Sequence, residues 1–568
     1  MDVKLRLLAA ALVALTAHTS PAGAAPGDLD SSFSNDGRVS TLTSPDTFVP
    51  RAVAVQPDGR IVVAGYSCDT GTCGPTGDSS FRLVRYTADG GLDTDFGAGG
   101  MVTTGIGAGR SQAFDVLVRP DGRIVAGGVA SVNAADPGSF ALAGYRPDGR
   151  VDTNFGPGGS GHVVMPVGDG FDAVSDLVAG RGGRVIAVGQ AEVLGHDRVA
   201  LARFDQRGAP DSKFDGNGSL TVPSGAQYAY AAGGTLLPDG RVVAVGASGR
   251  SSAVQDLRLS GVAIDADGGA GPPWLRPVGA SYSFANAAVA LPDGRVLSAG
   301  VATDRSRFPG MALTRTSPEG APDPSFSGDG AALVRVRDSS VAADVVLEPG
   351  GRAVAAGDSS SGADHSFMLA RLDGAGGLDR SFGFGGVVLT GFPGATVARA
   401  TALALQADGK LVAAGIACVA GSGAQCGGGT ARLALARYQG GDAAAPGPSG
   451  PGAGTPPAGG APRRAPFVSL PGRVRARHGR VKIRVRCRQA KRCRGRLSLR
   501  RLRTGRRSLL LGARTVSVAG HHARTFKVKL RRKRLGTHRR LRVRIEFAGR
   551  DATGAKRRVT RRATLRRG

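Results

Sequence analysis

Aromatic residues and cysteine are scarce in this chain. Phe, Trp and Tyr make up 5% of the 568 residues, with a single Trp, and there are six cysteines. So few rings disfavour aromatic stacking platforms for nucleic-acid bases or sugars. Beyond the N-terminal segment, no apolar run approaches the roughly 20 residues that a membrane-spanning helix needs. The motifs His-Glu-x-x-His and Gly-x-Ser-x-Gly are also missing, so no catalytic motif indicates an enzyme.

The N-terminus has the order of a secretory signal peptide. Lys4 and Arg6 precede the apolar run Leu7–Thr16, and the small residues Ala22-Gly23-Ala24 follow. The alternative, a retained membrane anchor, would need a longer apolar run. We therefore predict a signal peptide at 1–24, and a mature chain that is secreted or associated with the cell surface and has no transmembrane segment.

The six cysteines fall into three close pairs. An even number of cysteines at short spacing in an exported chain predicts disulfides. A metal site is the alternative, but no nearby His or fourth Cys completes a tetrahedral set of ligands. The predicted disulfides are Cys68–Cys73, Cys418–Cys426 and Cys487–Cys493.

Glycine is abundant, with 90 residues, and much of it belongs to an internal repeat. The segment Pro57-Asp58-Gly59-Arg60, followed by an apolar run, is the first of seven copies with a mean period of about 58 residues. Asp-Gly between two apolar runs predicts a β-hairpin, because Gly tolerates a positive φ. The second glycines of the copies are Gly59, Gly122, Gly183, Gly240, Gly294, Gly351 and Gly409.

Two further elements recur with the same period. One is Leu-Asp-x-x-Phe, whose rings are Phe33, Phe96, Phe155, Phe214, Phe326 and Phe382. Its missing copy has Trp274 where the ring should stand, and we interpret Trp274 as a core substitute rather than a ligand-binding ring. The other is an apolar run that precedes Leu-Asp, at 81–86, 140–145, 199–204, 367–372 and 432–438.

Together these elements predict an all-β fold with four short strands per unit. Several strands are apolar on both faces, so the sheets are expected to be covered on both sides. Seven such units predict a seven-bladed β-propeller over residues 25–439. Because the chain begins with the Leu-Asp element and the repeats end after the run at 432–438, we expect the segment Leu29–Thr41 to complete the last blade. Cys68–Cys73 and Cys418–Cys426 would then clip the same loop in neighbouring blades.

The combined pattern resembles the bacterial delta-60 repeat family. The resemblance covers roughly residues 27–440 and rests on the Leu-Asp-x-x-Phe, Pro-Asp-Gly-Arg and Leu-Ala-Arg-Tyr segments. It implies an exported propeller-like protein and brings no catalytic residues. Two copies depart from the family pattern by using Gly182 and Gly350 in place of Asp, and the unit with Trp274 lacks the Leu-Asp pair.

Charge divides the chain unevenly. The Gly/Ala/Pro-rich stretch 440–466 predicts a linker. From residue 461 onward there are 39 Lys and Arg against two acidic residues, Glu546 and Asp551, so this segment has a net charge of +37 and the rest of the chain −7. Apolar and cationic residues alternate here with period two, as in Val481, Ile483 and Val485, which predicts strands.

About seven such strands suggest a strongly basic immunoglobulin-like β-sandwich at 467–568. The domain is similar to arginine-rich, immunoglobulin-like C-terminal domains of other exported bacterial proteins. Its charge attracts polyanions. For an exported protein these are anionic cell-envelope polymers, lipid head groups or extracellular DNA, although no base-reading motif indicates specific nucleic-acid binding. The candidate polyanion-binding residues are Lys482, Arg484, Arg486, Lys527, Lys529, Arg542 and Arg544.

Two functions follow. The first is a non-enzymatic exported binding or scaffold protein, with the propeller as a platform for other surface proteins and the basic domain as its attachment. The second is a propeller-type lyase or hydrolase with a site at the mouth of the central channel. His162, His196 and His365 are isolated in the sequence and are interpreted as surface or turn residues. No cofactor is expected; Asp89, Asp93 and Asp95 could bind Ca²⁺, but turn geometry already explains them.

Overall fold

The computed structural model describes two compact units, Met1–Gly447 and Pro448–Gly568, whose boundary falls inside the predicted linker. The described residues are 24–42, 47–68, 79–107, 109–133, 135–303, 308–419, 426, 430–441, 468–469, 473–477, 480–487, 493–501, 509–518, 523–530, 540–550 and 556–567. The predicted signal peptide, apart from Ala24, lies outside them. Among the helices of the described residues, none is long and apolar enough to cross a membrane.

The first unit is built from antiparallel four-stranded sheets, each a simple meander of consecutive strands. Sheet 1 consists of β2 (Thr47–Val55), β3 (Ile61–Cys68), β4 (Ser79–Tyr86) and β5 (Met101–Thr104). Sheet 2 consists of β6 (Ser111–Val118), β7 (Ile124–Ala130), β8 (Ser139–Tyr145) and β9 (His162–Met165). Sheet 3 consists of β10 (Asp172–Ala179), β11 (Val185–Val193), β12 (His196–Phe204) and β13 (Ser219–Val222). Sheet 4 consists of β14 (Tyr228–Leu236), β15 (Val242–Gly249), β16 (Arg258–Ile264) and β17 (Trp274–Arg276), and sheet 5 of β18 (Ser283–Ala290), β19 (Val296–Thr303), β20 (Pro309–Thr316) and β21 (Ala331–Val334).

The remaining strands of this unit form one eight-stranded sheet with two halves. Half 6a consists of β22 (Ser339–Leu347), β23 (Ala353–Ser361), β24 (Asp364–Leu372) and β25 (Val387–Thr390). Half 6b consists of β26 (Ala395–Leu405), β27 (Leu411–Val419), β28 (Thr430–Tyr438) and the N-terminal β1 (Arg38–Leu42). The halves are joined by a single parallel pair, His365 with Val397. As predicted, the N-terminal segment completes the last strands, because β1 pairs antiparallel with β28.

The Asp-Gly turns form the predicted hairpins. Between β2 and β3 the Gln56 amide donates to the Arg60 carbonyl at 2.8 Å, and the Gly59 amide donates to the Gln56 carbonyl at 2.9 Å. Gly59 has a φ of +88°, and the corresponding glycines of the other six copies also have positive φ. A side chain is strained in this conformation, which explains why Gly recurs here.

Clusters of buried apolar side chains fill the spaces between successive sheets. Between sheets 1 and 2, for example, Phe81 and Leu83 pack with Ile124. The first and last sheets also pack on each other, since Ile61 of β3 lies in one cluster with Leu433 of β28. The sheets therefore form a ring in which each sheet covers its neighbours, and a single sheet could not bury its own two faces.

The described residues contain no α-helix, and three short 3₁₀ turns lie at Pro157–Gly159, Arg181–Gly183 and Val254–Asp256. The second unit is also all β. Its strands are β29 (Val468–Ser469), β30 (Arg473–Arg477), β31 (Arg480–Cys487), β32 (Cys493–Arg501), β33 (Leu509–Val518), β34 (Ala523–Lys529), β35 (Arg540–Arg550) and β36 (Lys556–Arg567).

Two groups of strands share the core of the second unit. β31 pairs with β29 and β34, whereas β35 pairs with β32 and β36, and β33 pairs with β32. β30 joins the groups, antiparallel to β31 and parallel to β36. Buried side chains from both groups, among them Ile483, Phe526 and Ile545, form one cluster. The alternating pattern therefore predicted the buried face of these strands correctly.

Candidate functional site

A central cavity of about 530 Å³ lies where the innermost strands of all the sheets meet. Each innermost strand (β2, β6, β10, β14, β18, β22 and β26) has a β-bulge at the same place, where the register with the next strand shifts by one residue. Such bulges redirect side chains and free a backbone group from the ladder. The residues at the bulges line the cavity and are Arg51, Phe114, Ser175, Ala232, Asn286, Ala343 and Thr401.

Three carboxylates directly follow these bulges. Asp115 accepts a hydrogen bond from the Leu177 amide at 2.7 Å, and Asp176 accepts one from the Gly234 amide at 2.6 Å. Asp344 accepts one from the Leu403 amide at 2.8 Å. In each case the amide belongs to the innermost strand of the following sheet, so the carboxylates tie neighbouring sheets together along the wall of the cavity.

Burial raises the pKa of all three carboxyl groups. For Asp115 the nearby Asp176 carboxyl adds to burial, and the two side chains are hydrogen-bonded to each other. For Asp344, burial is opposed by backbone hydrogen bonds from Leu403 and Val345, and the pKa lies at about 6. The raised pKa values and the mutual hydrogen bond allow Asp115 and Asp176 to share a proton.

The raised pKa of Asp344 predicts how the free energy of unfolding depends on pH. Its folded-state pKa of about 6 exceeds the reference value of 3.8, so ionisation disfavours the folded state as the pH rises from about 4 to 6. Asp344→Ala removes this penalty. The fold should tolerate alanine here, because Ala52, Ala287 and Ala402 hold the same position after the bulge in other sheets. Relative to the variant, the wild type is expected to lose roughly 1–3 kcal/mol of unfolding free energy between pH 4 and 7. Urea unfolding of the wild type and of Asp344→Ala at each pH is the measurement. The prediction is contradicted if the unfolding free energies of the two proteins change with pH in parallel.

One side of the cavity is aromatic and cationic. The Arg51 guanidinium lies 5.7 Å from the Tyr66 ring centre and 5.5 Å from that of Phe114. The two rings meet edge to face at 6.3 Å. Arg51 and the Phe114 ring, with Tyr66 in contact with both, thus belong to a part of the wall that also contains Asp115, which is suited to a polar ligand with an apolar face.

The repeated motifs meet elsewhere, around the Asp-Gly hairpins. Asp93 of the Leu-Asp element forms ion pairs of 2.8 Å with both Arg60 of the hairpin and Arg85 of β4. The Arg85 guanidinium lies 4.4 Å from the centre of the Phe96 ring and donates to the Pro147 carbonyl of the next sheet. Arg203, Arg315, Arg371 and Arg437 repeat the ion pair and the ring contact, at 2.6–3.1 Å and 4.6–4.9 Å. These motif residues join neighbouring sheets and do not form a ligand site.

Departures from the motif are compensated. Sheet 2 has Gly144 in place of the arginine, and Arg119 of its hairpin supplies the guanidinium instead, 5.7 Å from the Phe155 ring centre. Arg119 also donates to the Gln206 carbonyl of the next sheet at 2.7 Å. In the unit without Leu-Asp, the Trp274 ring packs against Gly320, as Phe33 packs against Gly90. Trp274 therefore packs in the place of the Phe ring, but it is only half-buried and also lines a cleft beside sheet 4, so its interpretation as a core substitute rather than a ligand-binding ring stays a prediction.

Two segments of the chain match a β-propeller family. Residues 56–96 and 119–155 match the family model described as a domain of unknown function (DUF5122) beta-propeller. Each segment runs from the hairpin turn to the ring of the Leu-Asp element, at Phe96 and Phe155. Together with the ring of sheets, the match supports a β-propeller repeat family, as predicted; the delta-60 name itself stays a prediction.

The solved structures that are similar to this chain are distant from it in sequence. The chain is similar at 10% identity to the structure of xylan beta-1,4-xylosidase from Bacillus halodurans C-125, over 69% of this chain and 89% of that one, with a TM-score of 0.25. It is similar at 7% identity to the extracellular domain of a hybrid two component system from B. thetaiotaomicron, over 93% and 75% of the two chains, with a TM-score of 0.24. No curated protein matches the sequence.

The predicted disulfides have different outcomes. Cys418 and Cys426 are bonded, with Cα atoms 5.3 Å apart. Cys68 is also disulfide-bonded, and its predicted partner Cys73 lies outside the described residues. Cys68 and Cys418 end corresponding strands of adjacent sheets of the propeller, β3 and β27. Cys487 and Cys493 lie at the end of β31 and the start of β32, but their side chains lie outside the described part of the chain.

Among the predicted polyanion-binding residues, Lys482, Lys527 and Lys529 are exposed. The other four, Arg484, Arg486, Arg542 and Arg544, lie in β31 and β35, and their side chains are outside the described set. For the suggested Ca²⁺ site, no group of three or more His, Cys, Asp or Glu side chains suited to a metal occurs among the described residues. Asp93, one of the suggested ligands, is instead committed to two ion pairs.

The interpretation of His365 as isolated is wrong. Its Nδ1 lies 2.9 Å from the Asp358 carboxylate, and its Nε2 lies 3.0 Å from the Arg399 guanidinium of the adjacent half-sheet. The hairpin register between β23 and β24 brings Asp358 and His365 together, and Arg399 arrives from a distant part of the chain. The neighbouring Ser359 hydroxyl instead donates to the Val336 carbonyl at 2.6 Å.

Proposed function

We propose that this chain is an exported binding protein without enzymatic activity, in which a seven-bladed β-propeller serves as an interaction platform. A basic immunoglobulin-like domain attaches it to anionic envelope or extracellular polymers. The blade count rests on sheets 1–5 together with halves 6a and 6b. The halves share only the pair of His365 with Val397, so each counts as one blade. The seven bulged innermost strands around one cavity support the same count.

The observation that carries the attachment is the exposed face of β31 and β34. Lys482 and Lys527 are directly opposite each other in register, and Lys529 pairs with Arg480. Between these positions Val481 and Val528 are fully buried. Like charges opposite each other on a sheet are destabilising, and an anionic polymer lying along the strands would relieve this repulsion.

In the second group of strands, too, basic residues stand opposite each other in the register. Arg544 of β35 pairs with Arg500 of β32 on one side and with Arg562 of β36 on the other. Three neighbouring strands thus place arginine in one row. With 39 basic residues against two acidic ones beyond residue 460, the field of this domain extends over about a Debye length, 8–10 Å at physiological salt.

The test compares the full chain with a chain ended at Gly441, whose folding is checked by thermal unfolding. Both are sedimented with an insoluble linear phosphodiester polymer at low and high salt, and with vesicles of anionic lipid. The full chain is expected to bind the polymer at low salt and to be released by salt, and the shorter chain to stay in solution. Equal binding of both chains would refute attachment through the basic domain, and binding to vesicles alone would make lipid the partner.

A hydrolase or lyase is the second candidate, favoured by one observation. The hydrogen-bonded carboxyl pair Asp115–Asp176, with raised pKa values, lines a cavity of ligand size. One protonated and one ionised carboxyl group is the arrangement that general acid–base chemistry requires. Product release from a panel of neutral and anionic polysaccharides that is lost in Asp176→Asn would establish this candidate against the non-enzymatic one.

A further inference from the structure

A second cleft of about 430 Å³ opens between sheets 3 and 4, and no residue of the central cavity lines it. Its apolar wall includes Val199 and Val222 of sheet 3 and Val262 of β16. At the outer edge lies Leu275 of β17, with 57% of its surface exposed. Pockets for small ligands typically measure about 300–1,000 Å³, so the cleft is large enough for one.

Two serines project into this cleft from neighbouring strands. Ser248 of β15 and Ser260 of β16 line it, and each has only 7% of its surface exposed. Both residues line the open cleft, so a bound polar ligand can form hydrogen bonds to their hydroxyl groups.

The other sheets show that a serine at the position of Ser260 is particular to this cleft, whereas a serine at the position of Ser248 is not. In register, the position of Ser260 is alanine in four other sheets, Ala141, Ala200, Ala312 and Ala434. It is Met368 in half 6a and Arg82 in sheet 1. The position of Ser248 is alanine in four sheets, as Ala130, Ala191, Ala302 and Ala417, and serine in the other two, as Ser67 and Ser359. The propeller fold therefore does not need either hydroxyl.

The rim of the cleft is cationic. Arg258 of β16 donates from Nη1 to the carbonyls of Gln255 and Leu257, both at 2.9 Å, which fixes its guanidinium at the rim. Arg250 is exposed beside it. Among the described residues of the lining, the one carboxylate is Asp256, which accepts a hydrogen bond of 2.6 Å from Ser251. Two guanidinium groups against one engaged carboxylate favour an anion.

We propose that this cleft binds a hydroxylated carboxylate of sugar-acid size. The carboxylate would pair with Arg250 and Arg258, and its hydroxyl groups would satisfy Ser248 and Ser260. The apolar C–H face would lie on the valines and Leu275. A neutral sugar lacks the charge for the arginines, and a fatty acid lacks the hydroxyl groups for the serines.

The experiment measures binding of D-glucuronate, D-glucose and hexanoate to the full chain by isothermal titration calorimetry. Glucuronate is expected to bind at one site, and glucose and hexanoate each at least about tenfold more weakly, since each lacks one of the two charge or hydroxyl contacts. Ser260→Met, which introduces the side chain found in half 6a, is expected to fill the cleft and weaken glucuronate by more than about tenfold. Ser248→Ala and Ser260→Ala are each expected to weaken it about three- to tenfold.

Ser359→Ala is the matched control, because Ser359 holds the position of Ser248 in half 6a but already has a partner, and it should bind like the wild type. All variants keep the basic domain, so a difference among them reports on the cleft alone and not on attachment to polymers. The alanine variants decide the matter if Ser260→Met fails to fold. The proposal is overturned if the wild type does not bind glucuronate, if Ser260→Met and both alanine variants bind it like the wild type, or if glucose binds equally well.

Discussion

Arg437→Ala is expected to destabilise the propeller by about 3–5 kcal/mol, the cost of removing one partner of a buried ion pair. Arg437 is buried and donates from Nε to Asp30 at 2.8 Å. It also lies over the Phe33 ring and donates to the Ala88 carbonyl of sheet 1. One side chain thus joins the N-terminal segment, the last strand and the first sheet, where the ring closes.

Besides lowering the stability of the whole propeller, Arg437→Ala should loosen the structure around β1. In Arg437→Ala, hydrogen exchange over residues 38–42 is expected to accelerate, because β1 is held on β28 at this position. Arg371→Ala is the matched control. It removes ion pairs with Asp379 and Glu348 and a contact with Phe382, none of which involves β1, and should leave exchange of β1 unchanged. Unchanged stability of Arg437→Ala, or equal acceleration in both variants, would contradict the account of closure.

The same ion pair has a pH dependence of known sign. Burial acts to raise the pKa of Asp30, but hydrogen bonds from Lys410 and Ser32 outweigh it and lower the pKa from 3.8 to about 2. The stabilisation from this lowered pKa is complete above about pH 4 and is lost as the pH falls through 2. During acid unfolding, we therefore expect the ring of sheets to open between the N-terminal segment and β28 as the pH falls through 2.

Reversing three charges on the exposed face of the basic domain is expected to weaken polymer binding about a hundredfold, taking roughly 1 kcal/mol for each lysine near an anionic surface. The variant is Lys482→Glu/Lys527→Glu/Lys529→Glu. Since all three side chains are exposed and the core residues between them are unchanged, the fold should persist. Affinity for the phosphodiester polymer at low salt is the measurement.

A matched variant on the propeller controls for net charge. Lys213→Glu/Arg207→Glu/Arg380→Glu reverses three exposed charges of the first unit. It changes the net charge of the chain by the same amount and should bind almost like the wild type. If both triple variants lose affinity equally, net charge alone governs binding and the face of β31 and β34 has no special role.

Much of the propeller could be predicted because its signals are local. Asp-Gly turns with a required positive φ, apolar strands and a fixed period define each hairpin, and the order of motifs predicted that β1 would pair with β28. In the basic domain, alternation at Val481, Ile483 and Val485 identified the buried face, although the arrangement of its strands depends on distant pairings such as β30 with β36.

The residues of the candidate sites could not be predicted from the sequence in the same way. Asp115, Asp176 and Asp344 belong to no repeated motif, and only the β-bulges of three different sheets place them in one cavity. Ser260 stands where the other units have alanine, methionine or arginine, and this difference appears only when the register of all sheets is compared. Ser248 gives a weaker signal, because two other units also have serine at its position. His365 was misjudged because Arg399 lies 34 residues away in the chain.

The most direct test of attachment through the basic domain is the salt dependence of polymer affinity for the full chain. The account predicts that the logarithm of the association constant falls linearly with the logarithm of salt concentration, with a slope of about −0.7 for each polymer charge neutralised and a total of several units. The slope should become smaller in Lys482→Glu/Lys527→Glu/Lys529→Glu. An affinity that does not change with salt, or a slope that is the same in the variant, would contradict it.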